Sequence, residues 1–185
     1  LHGESQSGLT PFGERAVRNM QKEGIMIDVA HNSEGSVRDT LRLTECDALI
    51  VSHTGFDGHC PSPRNISDET MALITEAGGL LGVGFWAGVT CGEGIDTITS
   101  AIQYGVEQFG IDRIALRSDW DGSVTTPVDA PQLPHLTQAL LDAGLTQTEV
   151  RAVMSGNVAR FFVTTPAVRL ITCQCSRPQI RCRSG

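Results

Sequence analysis

Four short apolar runs punctuate the chain at regular intervals: GIMIDVA (residues 24–30), ALIVS (48–52), LLGVGF (80–85) and RIAL (113–116). Each is rich in Ile, Val and Leu without polar alternation, the pattern of a strand covered on both faces. Their spacing of roughly 25–35 residues is the span of a βα unit. The segments between them carry helix signals. Thr10-Pro11 predicts an N-cap followed by proline at the first helical position, opening a helix to about Glu23. Ser33 predicts the cap of a helix ending near Thr44, and Ser67 that of a helix ended by Gly78-Gly79. Further helices are expected over 96–109 and 132–143, each stopped by a glycine, and Thr146-Gln147-Thr148-Glu149 is a capping-box pattern opening a short last one. Strand–helix alternation with right-handed crossovers leads to an open doubly wound sheet or to a (β/α)8 barrel. A barrel needs eight strands and four are visible, so periodicity leaves half a barrel and a smaller open sheet as alternatives.

After Phe162 the pattern breaks. Residues 164–185 are rich in Arg, Cys and Ser and are expected to form an irregular tail behind an α/β unit over 1–163. Its Cys173, Cys175 and Cys182 lack a fourth partner and make a weak zinc motif. In the body, Cys46, Cys60 and Cys91 show no CxxC spacing and are expected as reduced thiols in or near the core.

Composition narrows the function classes. A net charge of −7 with no basic stripe argues against nucleic-acid binding. No apolar run is long enough to span a bilayer, so a soluble chain is expected, with the cytoplasm the favoured compartment. The opening Leu1 and the missing signal-peptide pattern are what a piece cut from a longer protein would show.

The informative polar residues fall at one end of the expected sheet. His31 follows the first strand, His53 lies just past the second, Asp119 just past the fourth, and Arg64 sits in the loop after the second. Parallel α/β folds assemble their sites at these C-terminal strand ends. Two imidazoles at equivalent ends of adjacent strands can converge on one borderline metal such as zinc. They do not complete a site, since catalytic zinc takes three protein ligands and a two-metal site needs a bridging carboxylate. Asp28, Asp119 and Asp121 are the local acids. Asp119 is favoured for chemistry, Asp121-Gly122 for a turn, and Asp28 as a hydrogen-bond partner behind the ligands. Arg64 offers a planar fork for a substrate carboxylate. His59 shares its loop, while His2, His135 and Glu4 have weaker claims.

Five ordered blocks carry a resemblance: GLTPFGERAVRNMQKEGIMIDVAHNSE, IVSHTG, PRNISDETMALITEAGGLLGVGF, IALRSDWDG and SGNVARFF. From about Gly8 to Phe162 the chain resembles the C-terminal half of the renal (membrane) dipeptidase family of zinc metallopeptidases. The resemblance implies a partial (β/α)8 barrel of the metal-dependent amidohydrolase type and a site of two zinc ions acting on dipeptides. It implies His31 and His53 as ligands of the second zinc, Arg64 as the holder of the dipeptide's C-terminal carboxylate, and Asp119 as the acid/base residue.

The family's first-strand His-x-Asp pair, its metal-bridging glutamate and a substrate-binding histidine have no counterpart and would lie upstream of Leu1. Arg117 stands where a small residue is usual and is expected to crowd the site. An open half-barrel would expose strand edges and favour a homo-oligomer. Two other readings follow: a non-catalytic barrel remnant acting as a binding or assembly module, and a metal-dependent amidohydrolase acting on a non-peptide amide.

Overall fold

The computed structural model describes residues 7–44 and 49–164. The helix signals operate as read. Thr10 caps α1 (Pro11–Lys22) by accepting from Gly13 N, and Ser33 caps α2 (Glu34–Leu43) by accepting from Ser36 N. Ser67 caps α3 (Asp68–Glu76) in the same way, with two acids in its first turn to complement the helix dipole.

Three strands are shorter than their apolar runs, β1 (Ile27–Asp28), β3 (Leu80–Val83) and β4 (Ile114–Leu116), while β2 (Leu49–Thr54) runs two residues past its own. They pair in parallel in chain order, β1-β2-β3-β4. A doubly wound sheet reverses its strand order at a switch point and puts helices on both faces. Here the order never reverses. Val29, Val51, Leu81, Val83 and Ile114 meet Val17, Val37, Met71, Ile74, Ile98 and Ile102 of the helices in one core. The winding is thus that of a barrel, and half of one is present.

Two elements were not expected. A four-residue helix, α4 (Ala87–Thr90), follows β3 and precedes α5 (Ile95–Phe109). After α6 (Leu133–Asp142), the capping box at Thr146 and Glu149 opens α7 (Gln147–Arg151), with both of its hydrogen bonds formed. The chain does not stop there. It passes through a π-helical turn at Ala152–Gly156 into α8 (Asn157–Thr164), whose Val158 and Phe161 pack with Leu80 and Ala115 of the sheet. Buried Asn157 anchors that helix by donating from Nδ2 to the carbonyls of Ile111 and Ile114 at 2.6 and 2.7 Å.

The reduced-thiol expectation fails for two cysteines. Cys60 and Cys91 form a disulfide, with Cα atoms 5.5 Å apart. They lie beyond the ends of adjacent strands, where β-strand packing brings distant sequence together. Cys46 and the whole 165–185 tail fall outside the described residues. Among the described residues no helix is long and apolar enough to cross a membrane.

Candidate functional site

The C-terminal strand ends gather His31, His53, Arg64 and Asp119. His31 Nε2 lies 2.8 Å from His53 Nε2, and Arg64 Nη2 donates toward His31 Nε2 at 3.3 Å. Asp119 Oδ1 is 3.7 Å from His53 Nε2. His53 belongs to β2 itself rather than to the loop beyond it. A register shift between Val51 and Thr54 breaks the two-residue alternation there, the kind of irregularity that re-aims a side chain.

Backbone conformation contributes as well. His31 (φ 67°) and Asp119 (φ 60°) both adopt the left-handed region, each three residues past the end of its strand. That region costs a non-glycine residue on the order of 1–3 kcal/mol and tends to persist where function holds it. The third such non-glycine residue among those described, Cys91 (φ 58°), is half of the disulfide.

The surroundings fix each group. Ser52 Oγ lies 2.7 Å from His53 Nδ1, so His53 can donate from Nδ1 and leave Nε2 free for a ligand. Asp28 Oδ1 accepts from Ala30 N and Ser52 N, both at 3.0 Å, tying β1 to β2 behind the two histidines. Burial, followed by the Arg64 and His53 charges, lowers the His31 pKa. Burial also lowers that of His53, against a raising effect from Asp119. Both shifts favour the neutral ring, the form that binds metal.

A tetrahedral zinc about 2.0–2.1 Å from each nitrogen needs ligand nitrogens roughly 3.3 Å apart. The observed 2.8 Å is roughly 0.5 Å shorter, so the two nitrogens must part by that much to share an ion. The pair does not enclose one. Among the described residues no group of three or more His, Cys, Asp or Glu is arranged to hold a metal.

The Arg64 loop is clamped from several sides. Asn65, itself buried, accepts from Gly55 N and donates to Cys60 O and Val89 O. Ser62 Oγ donates to Gly88 O, and the Cys60–Cys91 bridge joins the same loop to the end of α4. Arg64 stacks over Trp86, its Cζ 5.3 Å from the ring centroid.

The profile of the membrane dipeptidase family (peptidase family M19) matches residues 2–172. The chain belongs to that family. It is 31% identical over 169 residues to Dipeptidase 3 of Mus musculus, covering 88% of this chain and 34% of the mouse protein. Among solved structures it resembles a metallo peptidase from Rhodobacter sphaeroides liganded with a phosphinate mimic of the dipeptide L-Ala-D-Ala. That likeness has a TM-score of 0.79 and 27% identity, over 86% of this chain and 48% of that one. It also resembles dipeptidase AC, a member of the same peptidase family, with a TM-score of 0.81 and 26% identity over 88% and 50%. The chain spans about a third of the length of the curated relatives it matches.

The membrane dipeptidase match extends beyond both ends of the five quoted blocks. The other polar candidates scatter. Asp121 accepts from Ser123 N in a turn, as Asp121-Gly122 predicts. His59 turns toward α5, its ring against Tyr104 and its Nε2 3.4 Å from Ser100 Oγ. His135 lines a groove between α5 and α6 in the helix layer. His2 and Glu4 lie outside the described residues. Arg117 runs across the inner sheet face, its Nε donating to Ser52 O at 2.9 Å and its stem over Gly82.

Sequence reasoning missed Ser52, Asn65, Trp86 and the disulfide. A usable signal existed for the last: Cys60 and Cys91 follow adjacent strands, so barrel winding alone brings them near each other.

Proposed function

We propose that this chain carries the second-zinc half of a dipeptidase site, and that its function is zinc-dependent hydrolysis of dipeptides. The convergence of two imidazoles, a carboxylate and a half-buried guanidinium at the C-terminal ends of parallel strands supports this reading most strongly. Family membership and the dipeptide-mimic complex of the Rhodobacter sphaeroides relative support the substrate class.

In this reading His31 and His53 hold one zinc through Nε2, with Ser52 orienting His53. The remaining metal ligands come from outside the described residues. Zinc, when bound, supplies a Lewis acid that polarises the scissile carbonyl and acidifies water. Arg64 binds the substrate's terminal carboxylate in a two-point grip, and only a short peptide puts that carboxylate within its reach. Asp119 accepts a proton at its carboxylate from the attacking water and passes it to the departing amine. The Cys60–Cys91 bridge supports an oxidising compartment in place of the cytoplasm.

The test is release of alanine from L-Ala-L-Ala with zinc present, in the unaltered chain, Asp119→Asn and Arg64→Ala. The proposal expects hydrolysis lost in Asp119→Asn and a raised KM in Arg64→Ala. Zinc-dependent amide hydrolysis indifferent to Arg64→Ala would point to a non-peptide amidohydrolase. A zinc-loaded, self-associating chain without hydrolysis would point to a barrel remnant that binds or assembles.

A further inference from the structure

Trp86 has no role in the chemistry above, yet it lies against two of its participants. Its ring carries the Arg64 guanidinium on one side at 5.3 Å and lies 6.0 Å from the His53 ring, tilted by 50°. Only 9% of the residue is exposed. The chain makes room for the indole with glycine. A Cβ at Gly84 would come within 2.2 Å of the ring's Cζ3, and one at Gly88 within 3.1 Å of its Nε1. No residue with a side chain fits at Gly84 without moving the indole.

The platform is fixed at both ends. Trp86 lies three residues past β3 at the N-cap of α4, its carbonyl accepting from Val89 N and Thr90 N. Helix α4 is joined in turn to the Arg64 loop by the disulfide, by Asn65 and by Ser62. Loop and platform thus form one unit, and the flexible arginine stem is the part left to be steered. An arginine spends considerable rotamer freedom when held for a two-point contact, and a flat aromatic face reduces that loss because the guanidinium stacks on it.

We infer that Trp86 is a positioning residue that sets the separation between the carboxylate-binding Arg64 and the metal-binding His53, and so sets the substrate length the site accepts. The inference rests on the reading of Arg64 as the carboxylate holder.

The test is calorimetric binding of L-Ala-L-Ala and of its C-terminal amide to zinc-treated chain, in Trp86→Leu, Trp86→Phe, Arg64→Ala and the Trp86→Leu/Arg64→Ala pair. Zinc content is measured in each. A stacked cation is worth enough that Trp86→Leu should weaken Ala-Ala binding by roughly 2- to 30-fold. Trp86→Phe should restore most of that, zinc content should hold, and Trp86→Leu should have no further effect once Arg64 is alanine. An equal effect of Trp86→Leu with and without Arg64 would overturn the inference while leaving the carboxylate reading intact.

Equal binding of peptide and amide, or no binding of either, would instead sink the Arg64 reading. The platform is then read from urea unfolding, as it is if Trp86→Leu does not fold. Coupling between Trp86→Met, which keeps an apolar side chain but no ring face, and Arg64→Ala in the unfolding midpoints supports the stacked pair, and additivity rejects it.

Discussion

The Cys60–Cys91 bridge closes a loop with a sequence separation of 31 residues, which contains Arg64, Asn65, Trp86 and α3. In the chain-entropy account, a cross-link of this span removes enough freedom from the unfolded chain to stabilise the fold by roughly 3–4 kcal/mol. For a domain of this size each kcal/mol moves Tm by about 2–4 °C. Replacing both cysteines with alanine should therefore lower Tm by roughly 6–16 °C. Reductant should reproduce that shift in the unaltered protein and have no such effect in the double variant. The assay is thermal and urea unfolding followed by circular dichroism, alongside a non-reducing peptide map. Identical midpoints with and without reductant, or a map showing Cys60 and Cys91 as free thiols, would refute the reasoning. The bridge also leads to a functional expectation: with the loop released, Arg64 should lose position before zinc affinity changes.

Other substitutions probe separate parts of the structure. Asn157→Leu strips two backbone carbonyls of their donor inside the fold and should cost about 2–4 kcal/mol by urea unfolding. Ile102→Ala, at a fully buried site between α5 and the sheet, should cost about 2–5 kcal/mol. The site histidines make stability depend on pH. Their folded pKa values lie below the ordinary 6.5, so the unfolded chain binds more protons just below that pH. The contribution of this pair is neutral above pH 6.5 and turns destabilising as pH falls through the lowered folded values. Urea midpoints between pH 7.5 and 5 should fall less in the His31→Gln/His53→Gln variant than in the unaltered chain.

The elements were legible because local chemistry governs them: the Thr10, Ser33, Ser67 and Thr146 caps each accept the hydrogen bond their position predicts. Barrel winding was not legible in the same way, because strand spacing is common to open and closed α/β folds. Only the unreversed strand order separates them. Helix α8 was not read from the sequence beyond the short helix opened at Thr146, and the π-helical turn at Ala152–Gly156 is what carries the chain on into it. The four site residues were visible as polar groups at strand ends. Their supports were not, since Ser52, Asn65 and Trp86 act across distances of 20 residues or more along the chain, or through a neighbour's side chain, and carry no motif of their own.

The account turns on whether His31 and His53 hold zinc. Calorimetric zinc titration of the purified chain, with metal content read after dialysis and His53→Ala as control, addresses that most directly. The account predicts zinc uptake that needs His53 and weakens as pH falls through the lowered pKa values of the two histidines. No uptake, or uptake unchanged in His53→Ala, would contradict it.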